Sequence, residues 1–531
     1  MSNYAQVDYQ QTPVKIEVPR SYNAAAEFID RHIEQGRAEH TAVIDDTGSY
    51  SYRELQQRVN RAGNVLRGAG AGMETRVMLC LLDSVDFPTL FFGAIKVGAV
   101  AIPVNTLLTT HDYEFMLRDS RARILVVSKP LFEKFEPILS QQPHLEKVII
   151  SGGEVAGYAS LSSLMDEASD ALTVADTTCD DIAFWLYTSG STGTPKGAMH
   201  LQSDMVNTAV LYGEEVLGVR PDDLLFSAAK MFFAYGLGNA ISLPFYVGAT
   251  VVVMAERPTP ESVLRVLKQH QPTIFFGVPT LYGAIVGNSG YSRSDGSERL
   301  RICVSAGEAL PEEVAVEWES RFGSAILDGL GSTEMLHIFL SNREGDVHYG
   351  TSGVAVPGYA LKIVDEQDQP VGVGEIGELL VSGPSSATAY WNNRCKSIDT
   401  FNGCWTRTGD KYIFDEEGYY HYCGRTDDML KVSGIWVSPF EVESALLAHD
   451  RVLETAVVGK KDDKGLVKPK AFIVLKEPQQ ASDALAVELQ TFVKQRLAPY
   501  KYPRWVEFTD NLPKTATGKI QRYKLRCEER R

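Results

Sequence analysis

The sequence predicts a layered α/β fold with a large N-terminal part, a small β-barrel-like part within it, and a small mobile α+β C-terminal domain. Three observations carry this. Helix-period and strand-period apolar segments alternate from residue 52 onward, the pattern changes near residue 361 to short strands separated by turn residues, and a compact helix-and-strand stretch follows Gly424.

Residues 52–68 read as an amphipathic helix, 76–81 as a buried strand, 87–97 as a helix and 99–104 as a short strand. The rhythm returns with a helix over 261–270 and strands over 273–277 and 301–305, which favours largely parallel sheets. Short strands at 361–364, 378–381 and 419–422 point to antiparallel sheet or a small barrel. Beyond them come strands at 454–458 and 470–474 and a helix at 485–497. The domain boundary is expected at 425–428, giving an N-terminal domain over 1–426 and a C-terminal one over 427–531. A length of 531 residues exceeds what one core usually supports, so two domains are expected on size as well.

Hydrophobic residues at 44% and charged residues at 23% fit a globular protein. A formal net charge of -16 argues against a nucleic-acid surface, so any anionic substrate must meet a local field that overrides the global one. The longest apolar runs, 249–254 and 182–187, suit buried strands and fall far short of the roughly 20 residues of a membrane span. The first 18 residues lack an apolar signal core, which makes a cytoplasmic location the expectation. The 7 cysteines are scattered without a Cys-x-x-Cys pair, so neither disulfides nor structural zinc are expected.

The most informative stretch is Tyr187-Thr-Ser-Gly-Ser-Thr-Gly-Thr-Pro-Lys-Gly197, directly after the apolar run from Ile182. Its glycines let backbone amides approach a ligand, and its hydroxyls and Lys196 supply the donors that a polyphosphate needs. A flexible linker of the same composition predicts neither the preceding strand nor the fixed lysine. It is not a Walker loop: Pro195 replaces the second motif glycine, and Gly197 stands where Ser or Thr should hold magnesium. Gly372-Val-Gly-Glu-Ile-Gly377 matches the dinucleotide pattern, yet no helix pattern follows it, and it reads as a hairpin turn.

Thr188 to Gly197 resembles the phosphate loop of the adenylate-forming superfamily of acyl-CoA synthetases, peptide-synthetase adenylation domains and luciferases. Other stations follow in the family's order: Gly329-Leu-Gly-Ser-Thr-Glu334, Trp405-Thr-Arg-Thr-Gly-Asp410, Gly424-Arg-Thr-Asp-Asp428 and Pro513-Lys-Thr-Ala-Thr-Gly-Lys519. More narrowly, Lys230-Met-Phe-Phe-Ala-Tyr-Gly-Leu-Gly238, Glu334-Met-Leu-His-Ile-Phe-Leu-Ser341 and Ala498-Pro-Tyr-Lys-Tyr-Pro-Arg504 resemble the benzoate-CoA ligase branch. One departure is Leu330, where the superfamily usually carries an aromatic residue against adenine.

The resemblance implies ATP, Mg2+ and coenzyme A as cofactors and cosubstrates, with a small aromatic acid as partner and a homodimer as a family-level expectation. It implies that Thr188, Ser189, Gly190, Ser191, Thr192, Gly193 and Lys196 hold the β- and γ-phosphates, and that Thr333 bonds the α-phosphate. Glu334 would bind magnesium. Gly307, Glu308, Asp328, Gly331 and Ser332 are assigned to the nucleotide, and Asp410 with Arg425 to the ribose. Asp410 alone reads as a turn-capping aspartate, and its order among the other stations reverses that. Lys519, an ordinary solvated lysine by position alone, would enter between carboxylate and α-phosphate as the catalytic cation. Asp427 would be the hinge on which the C-terminal domain turns, Gly434 would line the pantetheine channel, and Tyr500 and Arg504 would meet the CoA nucleotide. Phe232, Phe233, Ala234 and Tyr235, with Gly307, Gly329, Leu330 and His337, would form a slot for a flat ring. His337 is open between contact with the substrate carboxylate and simple packing.

Rivals to a benzoate-type ligase are a stand-alone adenylation enzyme loading a carrier protein, a luciferase-like oxidase, another acid-CoA ligase and a nucleotide-binding sensor. The chain ends soon after Lys519 with no carrier region, and a sensor would be expected to lack Lys519, Glu334 or Asp410, all of which are present.

Overall fold

A computed structural model of the chain describes residues 3–189, 195–426, 428–432, 435–462, 466–498, 500–514 and 520–528. Two mostly parallel sheets dominate it. The first has seven strands: Pro195–Leu201, Ile182–Ser189, Val100–Pro103, Arg76–Cys80, Ile124–Ser128, Lys147–Ser151 and Ala159–Ser160, in spatial order. The second has nine: Val354–Ala355, Ile338–Ser341, Ile326–Gly331, Ile302–Ala306, Ile274–Gly277, Leu224–Ser227, Thr250–Val252, Thr41–Asp45 and Gly48–Ser51. Helices lie in the connections between parallel neighbours, as an α/β layering requires.

The helix Tyr52–Gly68 shows how directly the sequence drives this. Ser51 accepts from the Glu54 amide while Glu54 reaches back to Ser51, a reciprocal cap. Tyr52, Leu55, Val59, Ala62 and Leu66 then fall on one buried stripe. That stripe meets the helix Asp86–Lys96, buried from Phe87 onward, at two glycines: a Cβ on Gly93 would lie 3.0 Å from the Gly63 nitrogen. Larger residues at either position would force the helices apart.

Residues expected as antiparallel sheet or barrel form a five-stranded antiparallel sheet built from Ala360–Val364, Gly377–Ser382, Phe401–Asn402, Trp405–Phe414 and Tyr420–Arg425. Gly372 to Ile376 lies in the hairpin connection between the first two of these strands, as its turn reading requires. One hydrophobic cluster runs through both large sheets and into this one, from Val14 to Tyr412. Leu430, Val432, Val437, Val442, Leu446, Val457, Ile473, Leu489 and Val493 pack into a separate cluster beneath the strands Val452–Lys461, Val467–Leu475 and Trp505–Phe508. Among the described residues no helix is long and apolar enough to cross a membrane, Cys80, Cys179, Cys303, Cys395, Cys404 and Cys423 are free, and no group of three or more His, Cys, Asp or Glu is arranged to hold a metal.

Candidate active site

The glycine-rich segment starts and finishes on two paired strands. The strand before it extends two residues beyond the apolar run, to Ser189, and pairs antiparallel with Pro195–Leu201 in the register Ser189 with Pro195, Thr188 with Lys196 and Tyr187 with Gly197. Aromatic packing anchors its base. Trp185 stacks on Trp391 with centroids 4.5 Å apart, the Trp391 amide donates to the Gly197 carbonyl at 2.7 Å, and the Tyr187 hydroxyl donates to Asp119 at 2.7 Å. The half-buried Thr188 and Lys196 therefore leave a rigid sheet edge. Gly190, Ser191, Thr192 and Gly193 lie outside the described residues, as do the hinge residue Asp427, the channel residue Gly434 and the catalytic residue Lys519.

Lys196 points at a small electrostatic junction. Its ammonium lies 4.4 Å from the centroid of Tyr390, whose hydroxyl donates to a Glu334 carboxylate oxygen at 2.6 Å. Burial lowers the Lys196 pKa, the Glu334 charge opposes that shift, and Lys396 and Arg425 add to it. Burial first, and Glu334 second, push the Tyr390 phenol well above its ordinary value, so it remains a donor.

Arg425 closes the junction. It faces Asp410 across paired strands, donates to its carboxylate at 3.0 Å and also donates to the Thr408 carbonyl at 3.0 Å. The Asp410 charge raises Arg425 further above its already high value. Gly409 sits at φ +72°, and a Cβ there would come within 2.8 Å of the Arg425 guanidinium, so a glycine lets arginine and aspartate meet. The structure thus brings together Lys196, Glu334, Arg425 and Asp410, which are far apart in sequence.

The Gly329–Glu334 segment is held from behind. Met335 donates its amide to the Ser332 hydroxyl at 3.2 Å, and the Ala387 amide donates to the Glu334 carbonyl at 2.7 Å. His200 Nε2 lies 2.8 Å from the Thr333 carbonyl and must donate to it, while Nδ1 faces buried Asp204 at 2.8 Å. Asp328 is buried on the strand Ile326–Gly331 beside Ser305, and burial pushes its carboxyl up to about 8. Gly307, at φ +97°, and the half-buried Glu308 follow the adjacent strand Ile302–Ala306.

The residues expected to line an acyl slot lie on several elements. Phe232 and Phe233 lie 4.4 Å apart between centroids, ahead of the helix Ala234–Leu237. Tyr235 donates to the carbonyls of Gly277 and Val304 at 3.2 Å each and lies 5.9 Å from His337. Gly329 pairs with Ala306 and Ser341, Gly331 with Ile338, and the half-buried Leu330 packs on the main core. His337 is 2% exposed, and burial drives its pKa down to about 3, with the Tyr235 backbone acting the other way. It is neutral and packed, which removes a charged contact with a substrate carboxylate.

Tyr500 and Arg504 lie apart from these clusters. Tyr500 packs on the smaller core, and the Arg504 guanidinium stacks 3.5 Å over Tyr502 and donates to the Tyr502 carbonyl at 3.1 Å.

Sequence reasoning missed Tyr390, His200 and Asp204. Nothing local marks Tyr390, whereas the spacing of His200, near the end of a lysine-bearing strand, and Asp204, four residues on, is a weak signal for a buried pair.

Residues 29–391 match the family described as AMP-binding enzyme, and residues 441–519 match its C-terminal domain. The chain is 58% identical over 521 residues to a benzoate–CoA ligase of Thauera aromatica, covering 98% of each chain. It is 50% identical to a 4-hydroxybenzoate–CoA/benzoate–CoA ligase of Rhodopseudomonas palustris, covering 96% of this chain and 94% of that one. Among solved structures, a benzoate CoA ligase from Burkholderia xenovorans is 49% identical with a TM-score of 0.89, covering 95% of this chain and 100% of that one. An anthranilate CoA ligase in complex with anthranoyl-AMP is 43% identical with a TM-score of 0.93, covering 97% and 98%.

Proposed function

The chain belongs to the AMP-binding enzyme family, and from that premise we infer that it is an ATP-dependent aromatic acid–CoA ligase. It converts benzoate or a substituted benzoate, ATP and CoA into aryl-CoA, AMP and pyrophosphate through an acyl-adenylate. The observation that carries this reading is the junction of Lys196, Glu334, Arg425 and Asp410, in a chain 58% identical to a benzoate–CoA ligase.

The first half-reaction brings a carboxylate to the α-phosphate of ATP, so the site must cancel repulsion between anions and stabilise charge growing on the phosphoryl oxygens. Lys196, with the hairpin hydroxyls and amides, takes the β- and γ-phosphates. Thr333 takes the α-phosphate, its carbonyl tied back by His200. Asp410, aligned by Arg425, accepts from the ribose hydroxyls.

Glu334 fits magnesium. It is a half-buried oxygen ligand oriented by Tyr390, and phosphate oxygens and water would complete the six-coordinate shell that this ion demands. Magnesium supplies neutralisation of charge on the phosphoryl oxygens.

Lys519 enters between the reacting oxygens for adenylation and leaves for thioester formation, as the C-terminal domain over 427–531 turns about Asp427 against the domain over 1–426. The separate core beneath Val452–Lys461 supports an independently moving unit. Gly434 then leaves room for pantetheine, and Tyr500 and Arg504 meet the CoA nucleotide. A cytoplasmic homodimer is part of the same proposal.

Benzoate-dependent pyrophosphate release without CoA, followed by AMP accumulation on adding CoA, tests the reading over a panel of aromatic and aliphatic acids. Pyrophosphate release only with aliphatic acids, or none without CoA, would overturn it.

A further inference from the structure

Lys230 stands at the head of the run Phe232-Phe233-Ala234-Tyr235, yet its ammonium is already taken. It donates to the Met254 carbonyl and, at 2.7 Å, to the Glu256 carbonyl, and it lies 3.8 Å from one carboxylate oxygen of Asp83. The other Asp83 oxygen accepts from the Met231 amide at 3.3 Å. An ammonium has three protons to give, and two carbonyls and a carboxylate account for them. Lys230 therefore has nothing left for a phosphate or a substrate carboxylate.

The partners come from three places. Asp83 follows the strand Arg76–Cys80 of the seven-stranded sheet, Lys230 follows Leu224–Ser227 of the nine-stranded one, and Met254 and Glu256 follow Thr250–Val252 beside it. All three sites lie beyond the carboxyl ends of parallel strands, where open α/β sheets hold their ligands. The pair thus ties the two large sheets together. Both side chains are largely buried, and each opposes the shift that burial imposes on the other: burial raises the Asp83 carboxyl to about 6 and lowers the Lys230 ammonium.

What the tie holds is a tight turn. The Phe233 amide donates to the Lys230 carbonyl at 3.0 Å, and Gly236 passes so close that an added Cβ would fall 2.0 Å from that carbonyl oxygen. The place of the Lys230 backbone consequently sets where Phe233 leaves the turn and where the helix Ala234–Leu237 begins.

We propose that Asp83 and Lys230 are positioning residues for the acid substrate: their ion pair fixes the turn that presents Phe233, Ala234 and Tyr235, and touches neither acid nor nucleotide. This rests on the aromatic-acid reading of the site.

The test uses Asp83→Asn, which keeps the shape of the side chain and removes its charge, and Lys230→Met, which keeps an unbranched apolar stem and removes the ammonium. Each should raise the KM for benzoate by roughly tenfold or more, the factor that one hydrogen bond to a charged group supplies, and leave the KM for ATP within twofold of wild type. A turn free to move back should also admit larger rings, so kcat/KM for 4-methylbenzoate relative to benzoate should rise at least threefold. The double variant Asp83→Asn, Lys230→Met leaves no buried charge without its partner, and it carries the same measurements where a single variant does not fold. A merely structural pair would lower activity toward every substrate alike through loss of folded protein. Equal changes in the KM for benzoate and ATP, or an acid preference unchanged within twofold in the folded double variant, overturn the proposal. Absence of benzoate-dependent pyrophosphate release from the wild type would instead sink the aromatic-acid reading itself, whereas normal wild-type turnover with a preference indifferent to both substitutions sinks this inference alone.

Discussion

Gly238→Ala probes the acyl slot through a position with no chemistry of its own. The new methyl would lie 2.0 Å from His337 Cδ2 and 3.0 Å from Cγ, where ordinary carbon contacts sit at about 3.5–4.0 Å. Relief requires a shift of roughly 1.5–2 Å, and the ring is 2% exposed between Tyr212 and Tyr235. Such overpacking costs about 1–3 kcal/mol. Displacing Nε2 from Asn239, now at 3.0 Å, forfeits about 1 kcal/mol more. A loss near 2–4 kcal/mol should lower the melting temperature by roughly 2–4 °C, because the unfolding entropy of a chain this long is about 1 kcal/mol/K. The same displacement should raise the KM for benzoate by about tenfold or more, each 1.4 kcal/mol being one factor of ten. The assays are thermal melting and benzoate-dependent pyrophosphate release. Gly68→Ala serves as control, because a Cβ there meets nothing within 4 Å. A Gly238→Ala protein that melts within a degree of the control and keeps the wild-type KM would refute the packing argument.

Three further outcomes follow from the same account. Lys519→Ala should abolish adenylate formation and leave CoA transfer from supplied benzoyl-AMP largely intact, and equal loss of both half-reactions would remove its role. Ala234→Phe should exclude ring acids while sparing a short acid such as acetate, so unchanged benzoate turnover would contradict the slot. Burial raises the Asp328 carboxyl to about 8 from 3.8, so between about pH 4 and pH 8 the folded protein holds a proton that the unfolded chain has released. Stability from this group is full below about pH 4 and lost above about pH 8. Asp328→Asn should flatten that part of the melting-temperature profile, and an identical slope would show that the carboxyl ionises normally.

Periodic segments were legible because burial imposes periodicity: the helix expected over 52–68 is found as Tyr52–Gly68, and strands lie at Arg76–Cys80 and Ile274–Gly277. The extension of the strand before the glycine loop to Ser189 was not legible, since Thr188-Ser189 carries no apolar signal and its pairing with Pro195–Leu201 is set by the return strand. Motif residues such as Lys196, Glu334 and Asp410 were identifiable by order. Tyr390, which joins Lys196 to Glu334, was not, because its role arises only from contact at long sequence separation. The orientation of His337 depends on Asn239 and Ser227, residues that look like ordinary helix and strand polar groups until their hydrogen bonds are traced.

The central claim is that the acid's own oxygen attacks the α-phosphate of ATP. Benzoate labelled with oxygen-18 in its carboxylate, turned over with ATP and CoA, tests it directly by mass spectrometry of the products. Attack at the α-phosphate followed by thioester formation leaves one labelled oxygen on AMP; label in inorganic phosphate or pyrophosphate, or AMP free of label, would contradict the account.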